Sequence, residues 1–159
     1  MRLKKYLEIM EIKFKKLIPE AQMPIKSYEA DAGFDFYCTS IVRKYHPDGN
    51  YLEYHTGIAL DIPKGMVGLA FPRSSIIKKH MMLKNSVGII DSGYLGEIIF
   101  MFHKTDLISD DKPNNYYKIG DRIGQIVFLN IPEIILIETD QLSETERNIN
   151  GFGSTNNYI

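Results

Sequence analysis

Tyr51–Leu60, YLEYHTGIAL, sets the fold class of this chain. Leu52, Tyr54, Thr56, Ile58 and Leu60 are spaced two apart, so in an extended strand they share one face. The same period recurs in Val67, Leu69 and Phe71, and again in Ile98, Phe100 and Phe102. Ile126–Leu129 is a continuous apolar run, as in a strand buried on both faces, and Ile134–Ile137 is another. Turn signals separate these runs: Pro47-Asp48-Gly49-Asn50, Pro63-Lys64-Gly65, residues 110–115 and Gly120-Asp121. Many short strands with frequent turns predict an all-β barrel or sandwich. One helical candidate stands out, Ser75–His80, with Ser74 as its cap. No repeat, low-complexity tract or linker divides the chain, which predicts one domain.

The bulk numbers narrow the function classes. The chain has 159 residues, 44% of them hydrophobic, enough for an ordinary core. A net charge of -1 and a pI of about 6.4 give no global electrostatic case for nucleic acid, and no direct nucleic-acid binding is expected. A substrate carrying several phosphates would have to be met by local Arg and Lys. Cys38 is the only cysteine, which rules out an intrachain disulfide and a cysteine-based zinc site. No apolar run approaches the ~20 residues of a membrane span. The first residues, MRLKKYLEIMEIKFKK, lack a signal-peptide apolar core. The expectation is a cytoplasmic protein (nuclear or host cytosol if eukaryotic or viral) with no membrane contact. Residues 1–9 are read as an extension, and Asn148–Ile159, rich in Asn and Gly, as a mobile tail.

Five short segments can carry chemistry. Asn85–Glu97, NSVGIIDSGYLGE, reads as a hairpin whose tip presents Asp91 and, three residues on, Tyr94. A carboxylate on a tight turn is poised for contact, and a ring beside it can wall a pocket. Pro72-Arg73-Ser74-Ser75 offers a planar guanidinium, two hydroxyls and helix-start N–H groups to an anion. Alone, it is equally a capped helix with a surface arginine. Asp31-Ala32-Gly33-Phe34-Asp35-Phe36 puts two acids on one face of an extended chain, able to position a metal-bound water. Its plainer reading is a turn before an edge strand. In Gly120-Asp121-Arg122-Ile123-Gly124-Gln125, Gln125 opens a strand where it can donate to phosphate or simply satisfy backbone groups. In the tail, Phe152 between Gly151 and Gly153 can close over a flat ring, with Ser154, Thr155 and Arg147 beside it. The four histidines show no metal-ligand spacing.

Each segment is weak alone; their order is not. DAGFDF, PRSS, NSVGIIDSGYLGE, GDRIGQI and RNINGFGST follow one another as the five motifs of the trimeric dUTP pyrophosphatases (dUTPases), which the chain resembles from about Glu11 to Thr155. The resemblance implies a single-domain β-jelly roll with one short helix, assembled as a homotrimer. The domain would span residues 10–146, with residues 147–159 an arm closing a neighbouring active site. It implies hydrolysis of dUTP to dUMP and pyrophosphate with Mg²⁺ on the triphosphate. By position, Asp91 matches the acid that activates the attacking water and Tyr94 the ring beneath deoxyribose. Asn85, Gly88 and Ile89 match the uracil wall. Arg73, Ser74, Ser75 and Gln125 match phosphate contacts, and Asp35 the acid that reaches the metal through water. Arg147, Gly153, Ser154 and Thr155 match the arm around the γ-phosphate, and Phe152 the ring stacked on uracil.

The chain departs from the family pattern in places. Ser75, Asn148, Asn150 and Asn156 stand where glycines are common, and Leu95 where a basic residue is usual. Asn tolerates positive φ, so the arm's turn can survive. Two rival readings share the fold. A dCTP deaminase would need a glutamate eleven positions beyond Asp91, where this chain has Phe102. A non-catalytic nucleotide sensor would not need the intact Asp91.

Overall fold

A computed structural model describes residues 9–47, 49–105 and 115–150. Within them run nine strands: β1 (Lys13–Lys16), β2 (Phe34–Tyr37), β3 (Ser40–Lys44), β4 (Tyr51–Asp61), β5 (Met66–Phe71), β6 (Met81–Leu83), β7 (Gly88–Ile90), β8 (Glu97–Lys104) and β9 (Arg122–Asn130). They form two antiparallel sheets, one ordered β1-β4-β8-β6 with β3 also on β4, the other β2-β9-β5-β7. The eleven residues of β4 carry β3 on their first half and β1 on their second, with β8 along the other edge.

Both sheets feed one core. Leu52, Tyr54, Thr56, Ile58 and Leu60 are all buried, as the alternation predicted, and so are Ile98, Phe100 and Phe102. From the other sheet come Phe36, Ile123 and Ile126. Gly124 is a fitted position: a Cβ there would collide with the Phe100 ring. Phe102 is fully buried, its ring 5.6 Å from Tyr54 and 5.8 Å from Tyr117. The position where a deaminase would keep its acid is therefore a packed aromatic.

Four expectations change. First, Asn85–Glu97 does not form a paired hairpin. β7 pairs with β5 and β8 with β4 and β6, so the turn passes from one sheet to the other. Three-residue strands carry no sequence record of which partner they take. Second, Val67, Leu69 and Phe71 do share a face of β5, but Met66, Gly68 and Ala70 alternate inward. Likewise only Ile126 of the Ile126–Leu129 run is fully buried. Third, the helical segment is a 3-10 turn over Ser74–Lys78, with Arg73 at its N-cap and no side-chain cap. Fourth, Ile134–Ile137 forms no strand, and its side chains are 71–93% exposed. Its apolar pattern suits a strand, but among the described residues no strand pairs with it.

Candidate active site

One end of the four-stranded sheet gathers an anion-facing group. Asp35, Gln125 and Phe71 lie in one row across β2, β9 and β5, and the chain leaves β5 directly into Pro72 and Arg73. Asp35 is 6% exposed, yet its carboxylate is fully engaged. Arg73 Nε donates to Oδ1 at 2.7 Å, Arg122 Nη1 to Oδ2 at 3.0 Å, and Ser27 Oγ to Oδ2 at 3.5 Å. Arg122 Nη1 also donates to Ser27 Oγ at 2.6 Å. Charge-assisted bonds of this kind hold a guanidinium in one orientation. Asp35 takes the Nε of Arg73, so its outer nitrogens remain available as donors.

Beside this clamp lies a polar cleft of about 370 Å³, lined by Tyr37, Arg73, Ser75, Lys79, Tyr117 and Arg122 among others. Ser75 Oγ and the Tyr117 hydroxyl are 3.5 Å apart. Burial pushes the Tyr117 hydroxyl above its ordinary value, so it stays protonated at neutral pH. Gln125 Nε2 donates to the Pro72 carbonyl at 3.0 Å and thereby fixes the approach to Arg73. Gly33 leaves the room for it, because a Cβ there would strike Gln125 Oε1. Ser74 is exposed at the start of the 3-10 turn.

A second group lies on the turn after β7. Gly93 adopts φ +88°, and Tyr94 N–H donates to the Asp91 carbonyl at 3.2 Å, so the turn is tight. Asp91 is exposed, and among the described residues nothing pairs with its carboxylate. Tyr94 OH donates to the Glu97 carbonyl at 3.1 Å. A cleft of about 260 Å³ runs along Ile89, Ile90, Asp91, Tyr94, Glu97 and Ile99. At its edge, Gly88 passes so close to β5 that a Cβ would stand 3.1 Å from Ala70 Cβ and 3.2 Å from Asn85 Nδ2.

The two groups stand at opposite ends of β5. Ile90 pairs with Gly68, so Asp91 continues toward the start of β5, whereas Arg73 follows its end. About six extended residues separate the two levels, roughly 20 Å. Within one chain they do not meet.

The described residues end at Asn150, within the stretch expected to form an arm. Arg147 Nε donates to the Asn150 carbonyl at 3.1 Å, and Asn148 takes φ +45° without a glycine. Phe152, Gly153, Ser154 and Thr155 lie outside the described residues. Arg122, Ser27, Tyr117 and Lys79 join this site without a role in the sequence motifs. Arg122 stands inside a motif already singled out, and the need of a buried Asp35 for cationic partners was the signal that could have found it. No group of three or more His, Cys, Asp or Glu that could hold a metal occurs among the described residues. A hard cation such as Mg²⁺ is often held by substrate phosphates with only one or two carboxylates, so this donor set fits an ion carried by its substrate.

Comparison with known proteins agrees with the geometry. The dUTPase family model matches residues 19–156. The deoxyuridine 5'-triphosphate nucleotidohydrolase of Corynebacterium diphtheriae is 37% identical over 147 residues, 91% of each chain. That of Trichodesmium erythraeum is 36% identical, over 92% of this chain and 99% of its own. Among solved structures, the Staphylococcus bacteriophage 80alpha dUTPase with dUPNHPP superposes with a TM-score of 0.76 at 27% identity, covering 91% of this chain and 97% of that one. The chain belongs to the dUTPase family.

Proposed function

We infer that the chain hydrolyses dUTP to dUMP and pyrophosphate in nucleotide metabolism. The observation that carries the reading is the Gly93 turn, which presents an exposed Asp91 carboxylate with the Tyr94 ring beside it. Cleaving a phosphoanhydride needs charge neutralisation and an in-line water. Asp91 orients that water at the α-phosphorus and accepts its proton. Tyr94 packs beneath the deoxyribose, and Asn85, Gly88 and Ile89 flank the uracil. Arg73, aimed by Asp35, meets the phosphates with Ser74, Ser75 and Gln125. Mg²⁺ bound to the triphosphate supplies further neutralisation. Asp35, its oxygens already accepting three bonds, would meet the ion's hydration shell only through water.

Separation of Asp91 from Arg73 supports a site shared between copies in a homotrimer. The turn of one copy would face the Arg73 cleft of another, with Arg147, Phe152, Gly153, Ser154 and Thr155 of a third closing over both. The exposed Ile134–Ile137 run fits the same assembly, since a neighbouring copy can supply the strand edge it lacks.

Incubation with Mg²⁺ and each of dUTP, dCTP, dTTP and UTP tests the reading. Pyrophosphate is expected from dUTP alone; ammonia from dCTP, or binding without turnover, overturns it. Asp91→Asn should still bind a non-hydrolysable dUTP analogue while turnover falls at least ~100-fold. Near-normal turnover would remove Asp91 from its role.

A further inference from the structure

We propose that Glu97 is a positioning residue that sets sugar discrimination by bracing the Asp91–Gly96 turn against a bulge in β4. The inference rests on the reading of Tyr94 as the ring beneath the sugar. Glu97 touches that ring's anchor directly, because its carbonyl accepts the Tyr94 hydroxyl at 3.1 Å. The ring folds back over Gly96, where a Cβ would lie 2.5 Å from the Tyr94 hydroxyl oxygen. Ring position therefore follows the backbone of Gly96 and Glu97.

The Glu97 side chain fixes that backbone from the other direction. Oε1 accepts the Gly57 N–H at 2.7 Å, and Oε2 is 2.9 Å from His55 Nδ1. A carboxylate only accepts, so Nδ1 carries the hydrogen of that bond. Gly57 is the irregular point of β4. Its φ is +65°, and the register with β8 shifts between His55 and Ala59. At that bulge the Gly57 backbone N–H is met by the Glu97 carboxylate. Its carbonyl accepts Leu17 N–H at 2.8 Å, and a Cβ on Gly57 would press on Ile18 and Ala21. The bulge is thus pinned from both sides and serves as a rigid anchor. A buried N–H without a partner costs about 1–3 kcal/mol, so Glu97 and the bulge hold each other.

The other charged groups on this face leave the brace in place. Glu53 Oε2 lies 3.4 Å from Lys44 Nζ and 3.6 Å from His55 Nε2, which has no hydrogen-bond partner among the described residues, so the imidazole's hydrogen bond here is the one from Nδ1 to Glu97.

The test measures kcat/KM for dUTP and for UTP in the full chain. Glu97→Ala should lower the dUTP-to-UTP ratio about 10-fold, mainly through a gain in UTP turnover. Tyr94→Phe, which keeps the ring and removes the hydroxyl, should do the same, and the double variant should be non-additive. Glu97→Gln keeps an oxygen for Gly57 and should restore most of the ratio. His55→Ala leaves the Gly57 bond intact and should shift the ratio less, in the same direction; it decides the matter if Glu97→Ala does not fold. An unchanged ratio in Glu97→Ala, or an equal loss for both nucleotides, overturns the proposal. Tyr94→Ala separates the two readings: if it leaves the ratio unchanged, the sugar-gate reading has failed; if it lowers the ratio where Glu97→Ala does not, only the brace has.

Discussion

Cys38 is 1% exposed, and its Sγ donates to the Ser40 carbonyl at 3.4 Å. Burial, and then the negative charge of Asp121, push its thiol up from 9.0 to about 12. The folded chain therefore keeps this proton over a range in which the unfolded chain releases it. Stability should fall as pH rises through that window, and below it Cys38 adds no pH dependence. Burial raises Tyr54 and Tyr117 as well, with the same sign. Urea midpoints at about pH 8 and about pH 10.5 check this: the drop should be smaller in Cys38→Ala than in the parent chain. In the folded protein the thiol should resist alkylation, since only an exposed thiolate reacts.

Individual strands differ in how plainly the sequence states them. β8, and β4 as far as Thr56, alternate between a sealed core and a half-wet outer face, so Leu52 to Thr56 and Ile98 to Phe102 could be read directly, whereas Gly57–Leu60 is buried on both faces. The outer face of β5 also carries Val67, Leu69 and Phe71, and alternation alone does not say which apolar face turns inward. Site residues follow the same logic. Asp35, Arg73 and Asp91 were visible as chemical groups, but the clamp linking Arg73 to Arg122 needs residues 49 apart in the chain to meet on one carboxylate. The Glu97 brace was likewise hidden, because it depends on a bulge that no turn signal marks. Ile134–Ile137 is the opposite case, a clear strand pattern without a strand. If a second copy supplies the edge, placing glutamates at Ile135 and Ile137 should break the assembly. Sedimentation of the parent chain should give three times 18.3 kDa and the double variant a single copy. A double variant that stayed trimeric would show the segment is not part of the interface.

At the scale of the molecule, β5 holds the Arg73 clamp and the Gly93 turn at its two ends. The clamp at one end is rigid: Asp35 is buried under two arginines, and Gln125 is tied to Pro72. The turn at the other end is exposed and tight, open to solvent at Asp91. In the proposed trimer, three-fold symmetry would repeat both groups on every copy, so one set of contacts between neighbours would build three complete sites.

That distance along β5 has a consequence for mixtures. On the proposed shared site, a chain lacking Asp91 and a chain lacking Arg73 should each be inactive when pure. Dissociated and reassembled together in equal amounts, they should complement. A site is whole whenever the copy lending its turn kept Asp91 and the copy lending its cleft kept Arg73, roughly one site in four. Recovery of about a quarter of the parent rate from two inactive proteins would show that the catalytic unit is the contact between chains.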